Sequence, residues 1–272
     1  MAEVSVAVAQ LVVERGRPDV NLQTVTDHLD GAARENVQLI VFPECALTGY
    51  MFDSREEVAA AALDLDGPEI AAIIEKCSEL AMYVVVGLLE RVGEKVYNSA
   101  ALLGPEGLIG VCRKRHLPQM GADRFTDEPV EQDLRLFDTP IGRIGIMICY
   151  EIRFPEVART MALGGADIIA LPTNWPVESA ILADQFTRVR AAENMVYLLV
   201  SNRCDEERET RFLGCSQIVD VMGEVIAHAG VDAVRISASI DLARARSKHI
   251  VLKEDEVQLS PWDDRRPATY RV

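Results

Sequence analysis

The chain has 272 residues, of which 49% are hydrophobic and 26% charged, and a formal net charge of −15. That apolar fraction fills a sizeable core, which excludes a disordered chain. The acidity excludes a nucleic-acid surface, which needs clustered Lys and Arg, and disfavours anionic membranes.

Strand-like and helix-like segments alternate from end to end. Residues 4–13 (VSVAVAQLVV) read as a buried strand, and no basic stretch precedes them as it would in a signal peptide. A polar, periodic helix is predicted at 21–35, a strand at 37–44 (VQLIVFPE), and a helix at 68–81 with Pro68 suited to its first turn. Strands follow at 82–92 and across 95–116, the latter broken by a Gly-Pro-Glu-Gly turn. After a loop come a strand at 142–151 (GRIGIMICYE) and a helix at 154–166 ending at Gly164–Gly165. A short buried strand (DIIALPTNWP), a helix at 178–194, a strand at 196–203 and a hairpin turning at Met222–Gly223 complete the alternation. Residues 234–248 give a strand and a short helix, and a polar, irregular tail runs from about 255.

No linker rich in Gly, Pro or Ser divides the chain and no short-period repeat is visible, so 1–272 reads as one domain. Alternating strands and helices imply layered sheets covered by helices, an α/β class. Hairpin-like neighbours exclude a purely parallel sheet. No apolar run approaches the roughly 18–20 residues that span a bilayer. The six cysteines form no C-x-x-C pair, which fits free thiols in a reducing cytoplasm. With four His and no H-E-x-x-H, no metal is expected, and no glycine-rich phosphate loop suggests a nucleotide; the expectation is no cofactor.

Three reactive side chains each close an apolar strand: Glu44 in LIVFPE, Lys114 in GVCRKRHLP and Cys149 in GRIGIMIC. Alternation along a strand puts Lys114 on the face opposite Arg113 and Arg115, and Cys45 on the side opposite Glu44, where it reads as packing. A strand-to-helix turn at Cys149 would set backbone N–H groups and a positive helix end beside the thiol, favouring the thiolate. Each residue alone has a bland reading: a structural cysteine, a solvated loop carboxylate, a basic surface patch. Together they complete a mechanism. Lys114 stabilises the thiolate, Glu44 takes the thiol proton and hands it to a leaving amine, and Lys114 with the Tyr150 N–H holds an oxyanion.

These stretches resemble the nitrilase superfamily of carbon–nitrogen hydrolases. VFPECALTGY looks like its Glu motif, CRKRHLP its Lys motif and ICYEIRFPEVAR its Cys motif. GADIIALPTNWP, RVRAAENMVYLLVSNR, FLGCSQIVDVMGEVIA and DRRPATY are further family-like stretches, in family order. The resemblance implies Glu44, Lys114 and Cys149 as a triad, a four-layer α-β-β-α sandwich, and a homodimer or larger even-numbered assembly. It also implies that Asn174 and Trp175 wall the substrate pocket, against the bland alternative of a Trp capping the core. Many relatives carry a second glutamate after the Lys motif; the nearest candidate in register here is Asp123, with Glu128 further on, so that role is either adapted or missing. His116 invites a Cys–His reading but fits a structural one, and Arg188 and Arg190 read as helix-surface or interface charges. The expected function is hydrolysis of a small linear amide through a cysteine thioester. The alternatives are an N-carbamoyl-amide hydrolase, a nitrilase, an acyltransferase or a non-catalytic binding scaffold.

Overall fold

Two six-stranded sheets stack face to face in the computed structural model, which describes residues 3–130, 134–253 and 257–270. The close of the loop after Lys114 (131–133) and positions 255–256 and 271–272 of the expected tail lie outside the described residues. The first sheet holds β1 (Glu3–Gln10), β2 (Leu39–Val41), β3 (Tyr83–Val92), β4 (Lys95–Gly104) and β5 (Gly107–Arg113). The chain then crosses to the second sheet and lays down β6 (Leu136–Thr139), β7 (Gly142–Ile146), β8 (Ile168–Pro172) and β9 (Tyr197–Ser201). A small ribbon, β10 (Glu206–Glu207) with β11 (Thr210–Arg211), precedes β12 (Gln217–Val219) and β13 (Val225–His228) of that second sheet. Finally β14 (Val234–Asp241) returns to pair antiparallel with β1 along its whole length. Both sheets are mixed: β1, β2 and β3 run parallel, as do β7, β8 and β9, and the outer pairs are antiparallel.

Period-two alternation sorts the side chains of β1. Val6 and Val8 enter the core between the sheets with Ile146, Ala170 and Val200 of the second sheet. Ala7 and Ala9 face outward beneath α1 (Pro18–Arg34) and α3 (Pro68–Leu80), whose Val25, Leu29, Ile70 and Ile73 cover them. On the far side α4 (Pro155–Leu163) and α5 (Thr187–Asn194) close the second sheet through Val157, Met161 and Ala191. The result is the four-layer α-β-β-α sandwich. No helix among the described residues is long and apolar enough to cross a membrane.

Three elements differ from expectation. Between the strand predicted at 37–44 and the helix at 68–81, where no element is predicted, lies α2 (Arg55–Ala61), whose Ser54 side chain accepts the Glu57 N–H as an N-cap. The helix expected at 178–194 is present and runs into α5, but it opens with a 3₁₀ turn at Val177–Ser179 and carries a π turn at Leu182–Phe186. Past α6 (Leu242–Ser247), β15 (Ile250–Lys253) pairs with β16 (Val257–Leu259), so the tail expected to be irregular from about 255 contains the second strand of a hairpin. Trp262 then lies under two cations, 4.9 Å from Lys248 Nζ and 5.2 Å from the Arg159 guanidinium.

Candidate active site

Glu44, Lys114 and Cys149 come from strand ends of the two sheets and meet where those sheets abut. Pro43, which has no N–H for the ladder, follows β2, and the chain turns at once. Gly87 of β3 makes room for that turn: a Cβ there would lie 2.5 Å from both Cys45 N and Pro43 O. Cys45 has a left-handed backbone (φ +49), so strand alternation no longer governs it. Its thiol is 3.7 Å from Asn98 Oδ1, and the side chain packs, as expected, in a buried cluster with Tyr50, Phe52 and Val58. Lys114 leaves β5 with its N–H donated to Asn98 O at 2.8 Å. The opposite facing of Arg113 is as expected, with its guanidinium on buried Glu90 at 2.8 and 2.7 Å.

Cys149 also has a left-handed backbone (φ +50), at the start of a 3₁₀ turn over Cys149–Arg153. A non-glycine residue held in that region is strained, which is common where a reactive group must be projected. The turn is held by Glu151, which accepts the Ile148 N–H at 2.9 Å and the Arg115 N–H at 3.1 Å, tying the Cys turn to the segment after β5. His116 faces Glu151 (3.3 Å) and stacks on Phe154 (3.9 Å between centroids). Arg190, read as a surface or interface charge, is buried instead, and its Nε donates to Ile152 O at 2.9 Å from α5. Arg188 is exposed.

Lys114 Nζ donates to Glu44 Oε1 at 2.6 Å and to Asp123 Oδ2 at 2.5 Å, and all three side chains are fully buried. Asn98 Nδ2 joins the same two carboxylates, 2.7 Å from Glu44 Oε1 and 2.8 Å from Asp123 Oδ1. The Tyr50 hydroxyl donates to Asp123 Oδ2 at 2.7 Å. Asp123 therefore sits against Lys114 despite its shorter side chain, brought close by the 3₁₀ turn Gly121–Arg124; Glu128 is exposed. Asn98 and Tyr50 were not singled out from the sequence. A lone Asn inside the apolar run VYNSAALLG was the available signal for the first.

Burial pushes the Glu44 carboxyl above its ordinary value, Lys114 opposing and Asp123 adding to the effect. Burial also pulls on the Lys114 ammonium, but Asp123 and Glu44 outweigh it and hold its pKa well above the usual. The Cys149 thiol is raised by burial first and the Glu44 charge second, with Lys114 and a main-chain hydrogen bond from Asn174 opposing. This corrects the expected thiolate. α4 begins only at Pro155, too far along to present its N-terminus, and desolvation exceeds the help from Lys114.

The thiol opens on a cleft of about 170 Å³ lined by Tyr50, Met120, Tyr150, Asn174 and Trp175, with Arg153 among the lining residues. Both polar atoms of the Asn174 side chain and Trp175 Nε1 are buried without a hydrogen-bond partner among the described residues, as is Glu44 Oε2. Among the described residues no group of three or more His, Cys, Asp or Glu side chains is arranged to hold a metal ion.

A family model for carbon–nitrogen hydrolases matches residues 5–249. The chain belongs to the carbon–nitrogen hydrolase family. Within that family, and the nitrilase superfamily to which the motifs pointed, this hydrolase is 37% identical over 249 residues to a nitrilase of Pyrococcus abyssi, covering 91% of this chain and 93% of the relative. It is 30% identical over 290 residues to an omega-amidase of Bos taurus, covering 100% and 98%. Among solved structures, a mutant amidase from Nesterenkonia sp. AN1 superposes with a TM-score of 0.79 at 21% identity, covering 98% of this chain and 95% of that one. That amidase carries the acetamide moiety of fluoroacetamide covalently on its active-site cysteine.

Proposed function

We propose that the chain, acting as one domain over 1–272, hydrolyses the non-peptide C–N bond of a small linear amide, with Glu44, Lys114 and Cys149 as catalytic residues. One observation carries this reading. Glu44 commits Oε1 to Lys114 and Asn98, and keeps Oε2 buried and otherwise unpartnered while its carboxylate bears on the Cys149 thiol.

Glu44 takes the thiol proton as Sγ attacks the carbonyl carbon, so no resting thiolate is required. An ammonium has three N–H donors, and two of those on Lys114 go to carboxylates. The third, with the Tyr150 N–H, receives the oxyanion. The C–N bond then breaks, Glu44 returns its proton to the departing nitrogen, and ammonia or an amine leaves an acyl thioester on Sγ. Water, deprotonated by Glu44, attacks the thioester; the carboxylic acid departs and the proton returns to sulfur. Asp123 serves substrate binding by fixing Lys114, and Asn174 and Trp175 wall the acyl group. Arg153 is exposed at the cleft with no ion-pair partner among the described residues, which favours an acyl group carrying a remote negative charge.

Cys149→Ala should abolish ammonia release, and intact-mass measurement of wild type with a slow amide should trap an acyl adduct. Substantial residual activity in Cys149→Ala would overturn the mechanism. The nitrile reading has the archaeal relative in its favour. Against it, Tyr150 follows the nucleophile, and a linear nitrile places its developing nitrogen away from donors arranged for a carbonyl oxygen. One acyl skeleton assayed as amide and as nitrile separates the two, with the amide expected to be far faster. The same assay with a carbamoyl compound, and with hydroxylamine as acceptor, tests the N-carbamoyl and acyltransferase alternatives.

A homodimer or larger even-numbered assembly in the cytoplasm completes the proposal. Exposed Val177, Ile181 and Val189 along the segment running into α5 support the first, and six free cysteines the second.

A further inference from the structure

We infer that Glu207 is a positioning residue for the Asp123–Lys114 pair: from the β10–β11 ribbon it holds the Tyr50 main chain, so that the Tyr50 hydroxyl keeps Asp123 against the lysine. The inference rests on the amide-hydrolase reading of Glu44, Lys114 and Cys149.

A two-residue strand brings no core of its own, yet Glu207 is only 6% exposed. A buried carboxylate needs partners, and those it has point to one task. Glu207 accepts the Met51 N–H at 2.9 Å and the Tyr50 N–H at 3.2 Å. The Oε2 that accepts the Tyr50 N–H is also held by Arg203 Nη1. Arg203 is fully buried and fixed in turn, with Nη2 on Val13 O at 3.0 Å, Nε on Asp205 Oδ1 at 2.9 Å and its guanidinium 4.4 Å over the Phe212 ring.

At the other end of the chain of contacts, Tyr50 touches the reactive group twice. Its hydroxyl is 2.7 Å from Asp123 Oδ2, and its ring centre is 5.8 Å from Lys114 Nζ. Gly121 lets that ring seat against the turn bearing Asp123, since a Cβ there would come within 2.6 Å of it. The segment after the ribbon also reaches the opposite wall of the cleft, where the Leu213 N–H donates to Trp175 O at 2.9 Å. A small shift of the Tyr50 main chain therefore moves a carboxylate that sets where the ammonium points, and misplacement of about 1 Å at a reacting centre costs on the order of 100-fold in rate.

The test is a double-mutant cycle of Glu207→Gln and Tyr50→Phe on a primary amide that wild type turns over, with Glu206→Gln, an exposed ribbon neighbour, as control. Each single variant should lower kcat by about 10- to 100-fold with KM within about 3-fold, and the double variant should fall no further than about 3-fold below the worse single, because both act through one hydroxyl. Glu206→Gln should match wild type. Losses that multiply in the double variant, a loss in KM alone, or an unchanged kcat in Glu207→Gln would overturn the inference. Should Glu207→Gln fail to fold, Glu207→Asp, which keeps the charge facing Arg203 but shortens its reach to Tyr50, replaces it in the same cycle with the same expectation. A wild type that hydrolyses no amide would sink the hydrolase reading and this inference with it, whereas an active wild type with independent variants sinks this inference alone.

Discussion

At the scale of single residues, desolvation sets the proton inventory of the site. In the proposed reaction Glu44 must be ionised to accept the Cys149 proton. Burial raises Glu44 above the ordinary 4.5, so the ionised fraction falls away at a higher pH than for an exposed glutamate. The acid limb of kcat/KM should accordingly lie above 4.5, while Lys114, held well above its usual value, stays charged across the neutral range. A pH–rate profile checks this, and an acid limb at or below the ordinary value would contradict it. Asp123→Asn should depress kcat while iodoacetamide still alkylates Cys149, because its partners are Lys114, Asn98 and Tyr50. Equal turnover in mutant and wild type would show that this carboxylate does nothing for the reaction. The three strand-end residues were legible together: Glu44 is a carboxylate costly to bury without a partner, and Lys114 and Cys149 close strands of their own with the groups that complete its chemistry. Cys45 packs as expected, but through a left-handed φ that alternation does not encode, and Asn98 and Tyr50 stayed silent because their partners lie tens of positions away in sequence.

At the scale of elements, the Glu44 turn depends on a strand it does not belong to. Gly87→Ala would push a methyl into Cys45 N and Pro43 O. The expected result is a stability loss of about 1–3 kcal/mol by denaturant titration, and a fall in kcat larger than that loss explains, since Glu44 moves with the turn. Wild-type kcat at reduced stability would mean the turn absorbs the methyl without moving its carboxylate. Long periodic segments were the readable ones: α1, α3 and α4 lie close to where apolar spacing put them. α2 was missed although Ser54 and Glu57 stand at cap spacing, because so short a helix leaves little periodicity to read. The π turn before α5 was invisible for a different reason. Leu182 and Ala183 are buried within it, and no residue in the local sequence marks the wider turn.

At the scale of the whole molecule, the layered order followed from strands and helices alternating along the chain, and the hairpin-like neighbours that excluded a purely parallel sheet are the antiparallel outer pairs of each sheet. The assembly prediction belongs here. Light scattering at micromolar concentration should give at least twice the 30.0 kDa of one chain, and a particle of one chain's mass would defeat it. Glu44 and Lys114 extend from the first sheet and Cys149 from the second, and the core that joins them draws on both. Neither half can assemble the reactive cluster by itself. During refolding from denaturant, far-ultraviolet ellipticity should therefore recover ahead of hydrolysis, and the lag between the two signals would time the docking of one sheet on the other. The enzyme's own turnover becomes a clock for that event, with no added probe.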